Sequence, residues 1–214
     1  MTIPPRIPNT SPHLNGHVLA SVDIETTGRL AGRHEIIQIA VVPLDSEIRP
    51  LRGVLPFYLN IAPDHPETAE KQATKIHGLK LEKLGKECVT QWKAADVFAS
   101  WFDSLELPYN KRLIPLAHNW AFESAFLKNW LGLETMDMIW QSQPRDTMIC
   151  AAMLNDWYGY FEDTRPMTSI SLPNLCKQYG IKQTGKAHDA LNDALACAEL
   201  YKVLLGQFPV KVRD

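Results

Sequence analysis

The chain has 214 residues, with 22 Lys+Arg against 24 Asp+Glu and a formal net charge of −2. At 45% hydrophobic and 21% charged residues it has the make-up of a globular domain, which excludes a disordered or fibrous chain. This length buries a full core without disulfides or a structural metal, and the near-zero charge gives no support to a binder working through a broad basic surface.

Residues 1–16 are rich in proline and polar residues and have no apolar run, which predicts a flexible N-terminal arm rather than a secretory signal. Residues 18–24 read as a strand. Residues 36–44 (IIQIAVVPL) are a β-branched run typical of a buried strand. A third strand is expected over 52–60, where Pro56 points to an edge or bulge. Short connections between the three suit an antiparallel meander. Residues 66–76 and 92–105 read as helices, and 113–117 as a short strand. Over 122–131, Phe122, Phe126, Leu127 and Trp130 fall at helical spacing. Residues 145–147 enter a further strand, followed by a helix ending at Leu154. Residues 155–166 (NDWYGYFEDTRP) read as a loop or insertion whose aromatics either stack on bases or fold over the core. The last two helices are expected over 172–179 and 189–205, and 209–214 as a tail. The whole is one α/β domain over 17–208, with a mixed central sheet, antiparallel in its first three strands, flanked by helices.

Cys88, Cys150, Cys176 and Cys197 form no CxxC pair and read as small core residues of a reducing compartment. No run approaches the roughly 18 apolar residues of a membrane span. The expected location is the cytoplasm, whether the source is a cell or a virus acting in its host.

Three short segments concentrate acidic chemistry. In Asp23-Ile24-Glu25 the two acids are i and i+2 on a strand, so they project together while Ile24 turns to the core. Paired carboxylates at an apolar strand end repel each other and lose hydration, which a hard divalent cation relieves. A solvated strand end with two unrelated acids is the plain alternative. Residues 117–123 (AHNWAFE) mark a strand-to-helix passage with Glu123 in the first helical turn, where the helix dipole alone also favours an acid. Residues 188–193 (HDALND) open the last helix, with Asp189 as its N-cap. On a continuous helix His188 and Asp193 lie about 140° apart. They share one site only if His188 sits on the entering loop and turns back; otherwise they are a spare His and a surface Asp.

DIETTG, HNWAFE and HDALND, in this order, resemble the three exonuclease motifs of the DEDD superfamily. The His five residues before the last acid resembles its DEDDh, or DnaQ-like, branch, which includes polymerase proofreading subunits, RNase T and oligoribonuclease. EIIQIAVV, KIHGL, RDTM, SLPNLCKQYGI and ALNDALACAELYKVLL resemble further family elements, so the likeness runs over about 18–205. It implies an RNase H-like fold and a two-metal 3′→5′ exonuclease that hydrolyses single-stranded DNA or RNA 3′ ends and releases 5′-mononucleotides. By that resemblance, Asp23, Glu25 and Asp193 hold one Mg²⁺ or Mn²⁺, Asp23 bridges to a second, the acid at Glu123 steadies the second, and His188 is the general base. Thr26 and Thr27 correspond to the positions that contact the terminal nucleotide.

One residue departs from the pattern, because the family has Asp where this chain has Glu123. Its carboxylate reaches further by about 1.5 Å, one C–C bond. This either replaces a bridging water, favouring Mn²⁺, or weakens catalysis and leaves a nucleic-acid binding module. An RNase that trims RNA or degrades oligoribonucleotides is a further reading. A homodimer, or a polymerase partner in trans, is the assembly open to such an enzyme. Phe122 either stacks on a base or packs in the helix's apolar stripe, and His118 and Asn119 either orient the site or satisfy loop backbone groups. His77 reads as structural. Setting aside the four site acids turns the excess of two acids into an excess of two bases. Lys177, Lys182 and Lys186, with no acid from 177 to 186, either contact phosphate or form a solvated face.

Overall fold

A computed structural model describes residues 14–182 and 188–208. Residues 1–13 of the expected arm, Lys186 and the expected tail at 209–214 lie outside them. Leu14, within the expected arm, is buried in the core, and its carbonyl accepts from His17 N–H.

Five strands form one sheet in the order β3-β2-β1-β4-β5. They are β1 (Val18–Thr26), β2 (Ile36–Pro43), β3 (Phe57–Asn60), β4 (Leu113–Ala117) and β5 (Arg145–Asp146). β1 pairs antiparallel with β2, and β2 antiparallel with β3, while β1 with β4 and β4 with β5 are parallel. The mixed sheet is the expected one. β1 and β2 are buried almost throughout, as their continuous apolar runs demand. β3 begins directly after Pro56 and takes the edge, where a residue without an N–H does least harm. The link from β2 to β3 is longer than a meander turn; Asp45 folds it by accepting from Glu47 and Arg49 N–H.

The helices are α1 (Lys71–His77), α2 (Leu81–Glu87), α3 (Gln91–Asp103), α4 (Trp120–Leu131), α5 (Leu133–Ile139), α6 (Thr147–Phe161), α7 (Leu172–Tyr179) and α8 (Ala190–Gln207). Aromatic and aliphatic residues of α3 and α4, among them Phe98, Phe102, Phe126 and Leu127, cover one sheet face. α8 covers the other with Ala190, Ala194, Cys197 and Ala198, side chains small enough for close approach, and Ser21 Oγ donates to Ala194 O at 2.6 Å. α6 and α7 pack on α8 around Leu154, Leu175 and Leu200. Cys176 and Cys197 are buried, Cys88 and Cys150 partly so. No helix among the described residues is long and apolar enough to cross a membrane.

The fold departs from the sequence reading in three places. The single helix expected over 66–76 is one 3-10 turn at Pro66–Thr68 and then α1, because Glu70 is extended and its N–H donates to Thr27 O at 2.7 Å. The seven-residue helices α2 and α5 carry too few turns for a periodic signal. The stretch expected to be a loop from 155 continues α6 to Phe161. Asn155, a turn former by type, instead binds Met167 through both amide atoms, at 2.7 and 3.0 Å. Trp157, Tyr158, Tyr160 and Phe161 are therefore helical, with Tyr160 and Phe161 exposed.

Candidate active site

β1 outruns its parallel neighbour. Its pairing with β4 ends at Ser21↔Leu116, so Asp23 and Glu25 stand beyond the last paired residue. This is the C-terminal end of parallel strands, where open α/β sheets place their sites. Ile24 turns into the core, as alternation requires, and the register with β2 shifts between Glu25 and Thr26. α4 enters beside them after Asn119, which takes a left-handed conformation (φ 90°, ψ 58°), and carries the buried Glu123 in its first turn. α8 carries the buried Asp193 in its first turn. Asp189 N-caps α8, its carboxylate accepting from Asn192 N–H, so His188 lies outside the helix with φ of 61°. One ligand atom each of Glu25, His188 and Asp193 lies within 4.8 Å of the others. His188 and Asp193 thus share one site, as the loop geometry requires.

The acids are held where their charges are costly. Burial first, then the charges of Glu123, Glu25, Asp193 and Asp189, raises Asp23 well above the carboxylate range. Burial, Asp193 and Asp189 push Glu25 from 4.5 to about 8. Burial raises Glu123 strongly, and Asp146 adds to it against a backbone N–H that lowers it. Asp193 is raised by burial, with His188 opposing. Glu123 Oε2 is buried and has no hydrogen-bond partner among the described residues. Oxygen donors of this number, buried, mutually repelling and with one atom orphaned, fit hard divalent cations.

Asp146 is a further site-building residue that the sequence reading passed over. Its carboxylate accepts from the N–H groups of Asn119 (3.3 Å), Trp120 (2.8 Å), Met148 (2.9 Å) and Ile149 (3.2 Å). One side chain caps the starts of both α4 and α6 and so seats Glu123. An Asp just ahead of a helical stripe is the N-cap signal that marks it. Asp146→Ala should lower stability by about 2 kcal/mol, since four part-buried N–H donors lose a charged acceptor, and should depress turnover through Glu123. Thermal unfolding and kcat check this; wild-type values of both would remove Asp146 from the site's scaffold.

The residues expected to meet substrate divide. Thr26 and Phe122 line a cavity of about 170 Å³ together with Ile24, Glu25, Arg29 and Ile76. Phe122 also packs on Phe126, ring centroids 4.9 Å apart, which is the apolar-stripe packing expected of it. Thr27 is committed to the fold: it is fully buried, its N–H donates to Glu35 O, its hydroxyl accepts from Glu35 N–H, and its carbonyl accepts from Glu70 N–H. His118 Nδ1 lies 2.8 Å from Thr147 Oγ1, and burial lowers its pKa. Asn119 makes no side-chain cap; its backbone starts α4. His77 is buried, its Nδ1 accepting from Leu79 N–H, the structural part expected of it. Gly28, at the cavity wall, allows no side chain: a Cβ there would stand 2.6 Å from the buried His34 ring. His34 Nδ1 accepts from Leu30 N–H, which places a neutral ring's proton on Nε2, 3.6 Å from Glu70 Oε1.

The family model described as RNase_T, exonuclease, matches residues 21–201. No curated protein matches the sequence. Among solved structures, the chain resembles cell-death related nuclease 4 with TM-score 0.66 and 19% identity, over 89% of this chain and 64% of that one. It resembles zinc-bound E. coli exonuclease I in complex with single-stranded DNA with TM-score 0.69 and 19% identity, over 90% of this chain and 41% of that one. It resembles the 3′-exonuclease of a structure on 3′-end-specific recognition of a histone mRNA stem-loop with TM-score 0.62 and 16% identity, over 89% of this chain and 82% of that one. The chain thus spans 64% of the nuclease and about two fifths of the E. coli enzyme, and at these identities the likeness is one of fold.

Proposed function

The chain belongs to the exonuclease family described as RNase_T, and from that premise we propose that it hydrolyses single-stranded DNA or RNA from the 3′ end, releasing 5′-mononucleotides. The observation that carries this is the meeting of Glu25, His188 and Asp193 within 4.8 Å, beside the half-buried Asp23 and the buried Glu123. Asp23, Glu25, Glu123 and Asp193 would hold two divalent cations, Mg²⁺ or Mn²⁺. When bound, these supply positive charge to the attacking and leaving oxygens of the scissile phosphodiester. His188, set off the helix on its loop, accepts the proton of the attacking water through an imidazole nitrogen. The cavity takes the terminal nucleoside, with Phe122 and Ile76 offering apolar surface and Thr26 its edge. The E. coli neighbour's complex with single-stranded DNA and the 3′-end recognition of an RNA by the other neighbour support a 3′-end substrate of either sugar.

The deciding experiment runs 5′-labelled single-stranded DNA and RNA, with free or blocked 3′ ends, against the protein in Mg²⁺, Mn²⁺ and chelator. A ladder receding from free 3′ ends in metal is the expected result. Cleavage of RNA alone would narrow the enzyme to RNA trimming. Binding without cleavage would make it the nucleic-acid binding module that Glu123 raises as a reading.

Glu123 bears on the choice of metal. Its arm is longer than that of Asp and its Oε2 is buried with no hydrogen-bond partner among the described residues; such a carboxylate would replace the water an Asp needs and favour the ion that tolerates looser geometry. Glu123→Asp should shift the ratio of kcat in Mn²⁺ to kcat in Mg²⁺ towards Mg²⁺ by about tenfold. Equal ratios in the two proteins would sink the idea.

A further inference from the structure

The His188 N–H bonds to the Asp193 carboxylate of the helix that follows it, and the two residues next after His188 are gripped from the sheet. Asp189 Oδ2 accepts from Tyr58 O–H at 2.6 Å. Ala190 N–H donates to Gln38 Oε1 at 2.8 Å. The same Gln38 amide donates through Nε2 to the Tyr58 hydroxyl oxygen Oη at 3.0 Å and to Asn60 Oδ1 at 2.7 Å. Gln38 is buried, and its carbonyl oxygen and its amide nitrogen are both engaged, so only one orientation of the amide serves. Gln38 also stands directly opposite Glu25 in the β1–β2 register, and directly opposite residues put their side chains on one face. A single edge of the sheet therefore fixes Glu25 by strand pairing and the start of α8 by side-chain bonds.

His188 itself has a left-handed backbone (φ 61°), a conformation a residue with a Cβ keeps only when its neighbours impose it. Its neighbours on both counts are fixed: the Asp193 carboxylate accepts from His188 N–H, and Tyr58 and Gln38 hold Asp189 and Ala190, the two residues after it.

We propose that Tyr58 and Gln38 are positioning residues for the reaction, acting through Asp189 and Ala190 to aim the His188 imidazole at the site shared by Glu25 and Asp193. This rests on the reading of His188 as the base. Neither residue touches substrate in this role. Gln38 sets the N-terminus of α8, and the Tyr58 hydroxyl sets the carboxylate that follows His188. Tyr58 is the sharper probe, because its side chain is 40% exposed and Tyr58→Phe removes one oxygen while keeping the ring. Gln38→Met removes the buried partner and tests fold and site together.

The test measures kcat, KM and melting temperature for the full chain and for Tyr58→Phe, His188→Ala and the double variant, on 5′-labelled single-stranded DNA and RNA in Mn²⁺. Tyr58→Phe should lower kcat by about tenfold, the scale of a catalytic group displaced by a fraction of an ångström, with KM and melting temperature unchanged. In the His188→Ala background the same substitution should change nothing further, since the group it aims is gone. An equal loss in both backgrounds, or a wild-type kcat in Tyr58→Phe, overturns the proposal. Wild-type turnover in His188→Ala overturns the base reading on which it rests. The His188 Cε1–H resonance should also shift in Tyr58→Phe without substrate, and an unmoved resonance counts against the proposal.

Discussion

Asp23→Asn should abolish cleavage in every divalent metal and at the same time raise the melting temperature of the metal-free protein. Asp23 is the acid on which the site's other charges bear most: Glu123, Glu25, Asp193 and Asp189 all act on it after burial has done so. An amide keeps the shape and removes the charge. Turnover should fall by at least about 1,000-fold, as when a charge-stabilising group is lost from a preorganised site. The gain in melting temperature at pH 8 without metal should be about 2–4 °C or more for a domain of this size. Retained cleavage in any metal, or a drop in melting temperature, would contradict the role. The same electrostatics gives the metal-free wild type a slope. Glu25 is raised from 4.5 to about 8, so the folded state keeps a proton that the unfolded state releases. The associated stability is full below 4.5 and is lost as pH rises through about 8. Added Mg²⁺ or Mn²⁺ should flatten that decline by taking the proton's place; thermal unfolding across this window with and without metal shows it.

His188→Ala should lower kcat by about 10²–10⁴-fold, the range general-base catalysis supplies, while KM stays within about threefold. Metal affinity decides between two uses of the ring. His188 stands within 4.8 Å of the Glu25 and Asp193 ligand atoms, near enough to bind a cation in their company. A base leaves the affinity for Mn²⁺ as it was, and titration calorimetry of the variant reads this directly. A large loss of Mn²⁺ affinity would make His188 a ligand and return the search for the base to the remaining side chains of the site.

Local chemistry was legible where the determinants are local. β4 and α7 fall on the residues expected, 113–117 and 172–179. Asp189 caps α8 as its type and place suggest. The acids of the site were legible as residue types at strand and helix spacing. Their seats were not, because those depend on partners remote in the chain: Asp146 reaches back 26 residues to Trp120, Tyr58 reaches 131 residues on to Asp189, and Gln38 meets Ala190 across 152. The same holds for the errors. Asn155 and Glu70 take conformations that Met167 and Thr27 dictate, and neither partner lies within a window that periodicity can read. Thr27 stands apart from these: its bonds to Glu35, which close the β1–β2 turn, are not readable from its place after Glu25.

The strand order has a consequence for how the site tolerates change. β2 and β3 lie on one flank of β1, and β4 and β5 on the other. The His188 side is anchored through Gln38 and Tyr58 on the first flank, and the Glu123 side through Asp146 on the second. These anchors have no hydrogen-bond partner in common among the described residues. Free-energy costs at unshared sites add rather than compound. Stability changes at the two anchors should therefore add, while their effects on turnover meet at β1, where Asp23 feels both Glu123 from one flank and Asp193 from the other.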